Sequence, residues 1–176
     1  MAELLKDQYY LWSFYEKLGR ALQEHLSGFK SDQLLAEVKR QKLVDQDLKT
    51  KMYASARLMH QFLPDSFQKQ IDIVVRLGPV FDGLEGMALP AWVELYGLEH
   101  PETSVKALEQ LTRHSSSEFA IRPFIIQNQE QVLAEMLKWA DDPNEHVRRL
   151  ASEGCRPRLP WAMACLLYTS PSPRDA

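Results

Sequence analysis

Apolar residues recur every three or four positions along most of the chain, a period that predicts a succession of helices. Tyr10, Leu11, Phe14, Leu18, Leu22 and Leu26 keep it over residues 8–26, and Ser27-Gly28 ends it. Ser31 or Asp32 opens a second helix with Leu34, Leu35 and Val38 inward. Asp45 or Asp47 opens a third, through Leu48, Met52, Ala56, Met59 and Phe62, stopped near Pro64. Ser66 opens a fourth, through Ile71, Val74 and Val75, ended by Gly78-Pro79. Residues 81–89 form the loosest stretch, with turn residues at Asp82-Gly83 and Gly86. Pro90 then starts a short helix through Trp92, Val93 and Tyr96, and Gly97 stops it. A helix over 101–113 turns Val105, Leu108 and Leu111 inward. Another over 129–140 places Val132, Leu133, Met136, Leu137 and Ala140 on one face.

The stretch 115–127 is less simple. Ser115-Ser116-Ser117-Glu118 reads as a capping box, yet Pro123 falls inside the helix that the box would start. A proline there removes an N–H and clashes with the preceding turn, so the helix should kink or break. No segment alternates with period two for long enough to make a strand. Helices of about 12 residues with short connections predict antiparallel helix pairs. The aromatic and methionine content follows the helical stripes, as core residues do, rather than marking a cofactor site.

Composition narrows the class. With 45% hydrophobic and 26% charged residues this is a globular composition. No apolar run approaches the roughly 18 residues that cross a bilayer, so no membrane partner is expected. MAELLKDQYYLW lacks the n- and h-regions of a signal peptide, and Cys155 and Cys165 are too few for a disulfide framework. A cytoplasmic monomer without cofactor is expected, and the five scattered histidines suggest no metal site. The net charge of −3 speaks against a simple nucleic-acid binder until it is located. The excess acid lies within residues 1–105, whereas residues 106–162 carry equal numbers of acids and bases. Local distribution, not the sum, decides which surface meets phosphate.

That distribution is sharpest in DDPNEHVRRLASEGCRPRLPWA, residues 141–162. Asp142 is placed to cap a helix, with Pro143 at its first position and Glu145 closing the box. Val147, Leu150 and Ala151 make an apolar stripe, and Gly154 marks the stop. Between residues 146 and 158, Arg148, Arg149, Arg156 and Arg158 face one carboxylate, Glu153, and prolines stiffen the turn. Fixed guanidinium groups suit phosphate oxygens. The same residues also read as a solvated ladder, since Glu145, Arg149 and Glu153 are spaced i, i+4, i+8.

The wording of DPNEHVRRLASEG-RPRLPWA resembles the AlkC class of bacterial DNA alkylation-repair glycosylases, built from HEAT-like helical repeats. The likeness extends through Leu95-Tyr96-Gly97-Leu98, SSEFAIRPF at 116–124 and Leu137-Lys138-Trp139-Ala140, and covers most of residues 3–162. Cys155 stands where the family has a small polar residue. The resemblance implies an all-α, HEAT-like solenoid with a concave face for double-stranded alkylated DNA. A short echo, Glu118-Phe119-Ala120-Ile121-Arg122 against Glu145-His146-Val147-Arg148-Arg149, is consistent with such repetition. It further implies removal of cationic N3-methylated purines, chiefly 3-methyladenine, by hydrolysis of the N-glycosidic bond. The related AlkD class works without the base-flipping pocket of most glycosylases.

On this resemblance Glu118 and Glu153 match acidic positions facing the lesion, and Trp161 matches an aromatic beside the damaged nucleotide. Arg122, Arg148, Arg149, Arg156 and Arg158 become candidates for phosphate contacts. Each has a plainer rival: Glu118 as a capping-box residue and i, i+4 partner of Arg122, Glu153 as a rung of the ladder, Trp161 as packing. A HEAT-like scaffold that binds protein or DNA without chemistry is the competing function. Residues 165–176 are Ser/Pro-rich, match nothing in the family and read as a foreign, vector-derived tail. Family members continue with further helices, so residues 1–164 are expected to be the first part of a longer domain.

Overall fold

The computed structural model describes residues 4–159 and 162–164; Trp161 and residues 165–176, the expected tail, lie outside them. Among the described residues helix follows helix and no strand occurs. Four helices make the first part: α1 (Trp12–His25), α2 (Ser31–Gln41), α3 (Leu48–His60) and α4 (Phe67–Leu77). After the short α5 (Gly83–Gly86) come α6 (Ala88–Tyr96) and α7 (Pro101–Leu111). The last three are α8 (Arg122–Gln127), α9 (Gln129–Trp139) and α10 (Glu145–Glu153).

The starts follow local chemistry. Asp47, not Asp45, caps α3 by accepting from the Thr50 N–H at 3.0 Å. α1 begins later than its apolar period, because Tyr10 is held at φ 54. Its backbone N–H donates to Glu85 and its hydroxyl to the Leu84 carbonyl at 2.6 Å, which fixes the chain before the helix. Pro90 sits at the third position of α6, in the first turn where no N–H partner is lost.

Two expected starts are corrected. α10 is capped by Asn144, whose side chain accepts from the His146 and Val147 N–H groups. Asp142 instead accepts from the Asn144 N–H at 2.7 Å, so Pro143 lies in the turn before the helix. The segment 115–127 is not one helix: α8 begins only at Arg122, with Pro123 in its first turn. The proline breaks the element, and residues 115–121 run as turns.

Packing is layered. α1 packs on α2, α3 on α6 and α4 on α7, so one helix pair stacks on the next, as in a helical repeat. α8, α9 and α10 continue it. The core holds Phe14, Leu18 and Leu22 of α1, Met52 and Met59 of α3, Trp92 of α6 and Val147 and Leu150 of α10. Lys51 is also buried, and it is satisfied by donating to the carbonyls of Lys6 and Tyr9. On α9 the inward residues are Val132, Met136 and Trp139. Leu137 is 75% exposed, because the i, i+4, i+7 line through 132 turns the next residue outward.

Gly154 ends α10 with φ −59, so left-handed backbone is not the reason for a glycine. Space is. A Cβ there would lie 2.9 Å from Cγ2 of Ile121, a buried β-branched side chain with little room to move. Gly154→Ala is therefore expected to cost about 1–3 kcal/mol through overpacking. A denaturant midpoint equal to that of the native chain would refute the tight contact.

Candidate active site

The turns of 115–121 lie between two helices of the stack. Phe119 packs edge-on against Tyr53 of α3, ring centres 6.4 Å apart, while Glu118 reaches Arg149 of α10. The break at Pro123 makes this possible. A continuous helix would have turned Glu118 toward Arg122 one turn on. Instead Arg149 Nη2 lies 3.1 Å from Oε1 of Glu118, and the Ser116 hydroxyl donates to Oε2 at 2.9 Å.

The pair is asymmetric. Glu118 keeps 8% of its side chain exposed and Arg149 keeps 58%. A buried carboxylate is thus presented at a surface by an arginine that retains donors for a second partner. Glu118 and Arg149 line an open cavity of about 280 Å³ with His114, His146, Met87 and Leu84. Its floor is stapled. Gly83, at φ 57, donates its N–H to the His114 carbonyl, and the Ser115 hydroxyl donates to the Gly83 carbonyl at 2.9 Å. The volume lies just below the usual range of ligand pockets, roughly 300–1,000 Å³.

Glu153 follows Arg149 on the same face of α10, about 6 Å along the axis by the helical rise. It forms an ion pair with Arg156 at 2.9 Å and keeps 24% of its side chain exposed. Each of the two carboxylates expected from the sequence is thus held by an arginine, and Glu153 lies one turn beyond the partner of Glu118, outside the lining of the cavity. Arg148 is exposed, and its guanidinium donates to the carbonyls of Asp142 and Pro143. Arg156 and Arg158 are exposed in the turn after α10.

Arg122 departs from its expected place. It is completely buried, and its guanidinium donates to four backbone carbonyls, those of Gly154, Arg156, Pro157 and Met163. In this conformation it offers no face to a phosphate. Trp161, the expected aromatic neighbour of the lesion, lies outside the described residues.

Sequence reasoning missed His114 and His146, which share the cavity with Glu118. His146 precedes Arg149 by three positions, the spacing that puts two residues on one helix face, and that was the available signal. It also missed Glu94 of α6, which accepts from the Tyr53 hydroxyl at 2.7 Å beside Phe119. Burial raises the Glu94 carboxyl above its ordinary value, partly offset by that hydroxyl and by Lys49. A second groove of about 490 Å³ runs between α7 and α9, but Glu102, Glu109 and Glu135 line it against the single base Lys106. That balance repels phosphate.

No family model matches the chain. It is 46% identical over 127 residues to the uncharacterized protein YhaZ of Bacillus subtilis (strain 168), a stretch that is 72% of this chain and 36% of YhaZ. Among solved structures it matches the alkylpurine DNA glycosylase AlkC of Pseudomonas fluorescens, bound to DNA containing an abasic-site analog. The TM-score is 0.83 and the identity 30%, over 93% of this chain and 46% of that one. The chain thus spans less than half the length of either protein. What these likenesses establish is the architecture: the chain has an AlkC-like, helical-repeat fold.

Proposed function

We propose that this chain belongs to a DNA glycosylase that removes cationic N3-methylated purines such as 3-methyladenine from alkylated duplex DNA. The observation that carries the reading is Glu118, a nearly buried carboxylate held by Arg149 at the edge of an open cavity, with Glu153 one helical turn beyond Arg149. That the structural neighbour AlkC is an alkylpurine DNA glycosylase, and DNA-bound, supports it.

The chemistry fits these groups. A methylated purine already carries positive charge, so the glycosidic bond breaks with its electron pair passing to the base, which leaves neutral. The sugar is left with oxocarbenium character at C1′. A fixed carboxylate nearby stabilises that charge, and it can accept the proton of the water that attacks C1′. A general acid is not required. The exposed guanidinium groups of Arg148, Arg149, Arg156 and Arg158 hold phosphates and so set the register of the duplex without reading sequence. The second reading, a HEAT-like scaffold without chemistry, explains the arginines but gives no reason to bury Glu118 at a cavity.

The deciding experiment is release of free base from DNA treated with N-methyl-N-nitrosourea, using the full-length protein. Release of 3-methyladenine above background supports the glycosylase; duplex binding with no release leaves the scaffold. Arg158→Ala should weaken binding to any duplex about equally and lower the log–log salt slope by about 1, one phosphate contact's worth. A change in lesion preference with the slope intact would reassign Arg158 to the lesion.

A further inference from the structure

We propose that Arg122 is a positioning residue, which locks the segment 154–163 so that Glu153, Arg156 and Arg158 meet DNA in fixed places. The functional half of this proposal rests on the glycosylase reading; the structural half stands without it.

Arg122 is 0% exposed, and among the described residues no carboxylate pairs with it within ion-pair distance. A buried charge must be compensated, and here backbone dipoles do it. Nη1 donates to the Gly154 carbonyl at 3.2 Å, and Nη2 to those of Arg156 and Pro157 at 2.7 and 3.0 Å. Nε donates to the Met163 carbonyl at 2.6 Å. Gly154 is the C-cap of α10, where a cation is favoured by the helix dipole.

Two features separate this from ordinary core packing. The acceptors lie at Gly154, Arg156 and Pro157 on one side and at Met163 on the other, so one guanidinium ties the turn after α10 to a residue six positions further on. Past the Gly154 N–H, which still reaches Leu150, the described backbone of that segment is otherwise joined by two short turn bonds, Arg156 N–H to the Glu153 carbonyl and Ala162 N–H to the Leu159 carbonyl, while Cys155, Leu159 and Ala162 rest against the core. Closing such a loop restricts a chain that otherwise samples many shapes. Glu153 sits immediately before the loop, and Arg156 and Arg158 lie within it. Lysine cannot replace this arrangement, because three donors on one nitrogen do not span four carbonyls, whereas a planar five-donor fork does.

The test uses Arg122→Lys and Arg122→Gln in the full-length protein, with melting curves to confirm folding. Trypsin cleavage at Arg158–Leu159 should accelerate at least tenfold in both variants, since loop order rather than charge protects the bond. The single-turnover rate of 3-methyladenine release at saturating DNA should fall at least tenfold, on the scale of a misplaced catalytic group. In Arg122→Lys, which keeps the charge, the salt slope should stay near native. In the native protein the Arg122 guanidinium N–H signals should exchange slowly with water, a readout that survives even if both variants fail to fold.

Lysine restoring both rate and protease resistance would show that charge alone matters and overturn the proposal. So would guanidinium protons exchanging as fast as those of an exposed arginine, or loosened loops that excise at the native rate. Absence of release by the native protein would sink the glycosylase reading, and with it the functional half. Trypsin and proton exchange would still judge the lock.

Discussion

Glu118→Gln is expected to slow the release of 3-methyladenine about 100-fold or more, the scale of losing one preorganised electrostatic partner. The substitution keeps size and acceptor geometry and removes the charge. In the native chain that charge is pre-positioned by Arg149 at 3.1 Å and by the Ser116 hydroxyl at 2.9 Å, on a carboxylate that is itself only 8% exposed. Binding to undamaged duplex should change little, because a carboxylate does not attract phosphate. Stability should also change little. Arg149 is more than half exposed, so the ion pair contributes at the small end, under about 1 kcal/mol. Single-turnover excision and melting curves on the same preparations check both statements. A variant that melts like the native protein and excises at the native rate would remove Glu118 from the chemistry and favour the scaffold.

Glu153→Gln is expected to act through the same charge, and it too should cost about 100-fold in rate. Its setting differs. Glu153 is more exposed than Glu118 and is held by Arg156 from the turn that Arg122 closes. The double variant should therefore lose less than the product of the two single losses, if both carboxylates stabilise one developing cation. Fully multiplicative losses would assign them to separate steps. If Glu153→Gln excises at the native rate, Glu153 serves only as the ion-pair partner of Arg156.

Local signals located the helices well where one side chain decides the matter. Asp47 caps α3 because its oxygen reaches the Thr50 N–H, three residues on, wherever the rest of the protein lies. Asp142 and Asn144 show the limit of such signals. Both are competent caps two residues apart, and the backbone path alone selected Asn144. Leu137 shows another: an apolar residue next to a buried stripe is not thereby buried. The placing of Glu118 and Glu153 as candidates came from the wording of two short motifs. That wording could not show that Glu118's partner is Arg149, which is thirty-one residues away, rather than Arg122.

By itself the sequence determined a helical architecture, about half of its helix starts, and a stretch, residues 146–158, in which arginine outnumbers acid. These are properties of neighbours within about four residues, where periodicity, caps and prolines act. Only the tertiary structure decided which arginine is buried. Arg122 and Arg149 look alike along the chain, each with an acidic residue four positions before it. One ends with its guanidinium enclosed by carbonyls of the 154–163 segment, the other at the edge of a cavity beside Glu118. Burial depends on what a distant part of the chain lays over a helix face, and no local pattern encodes that cover.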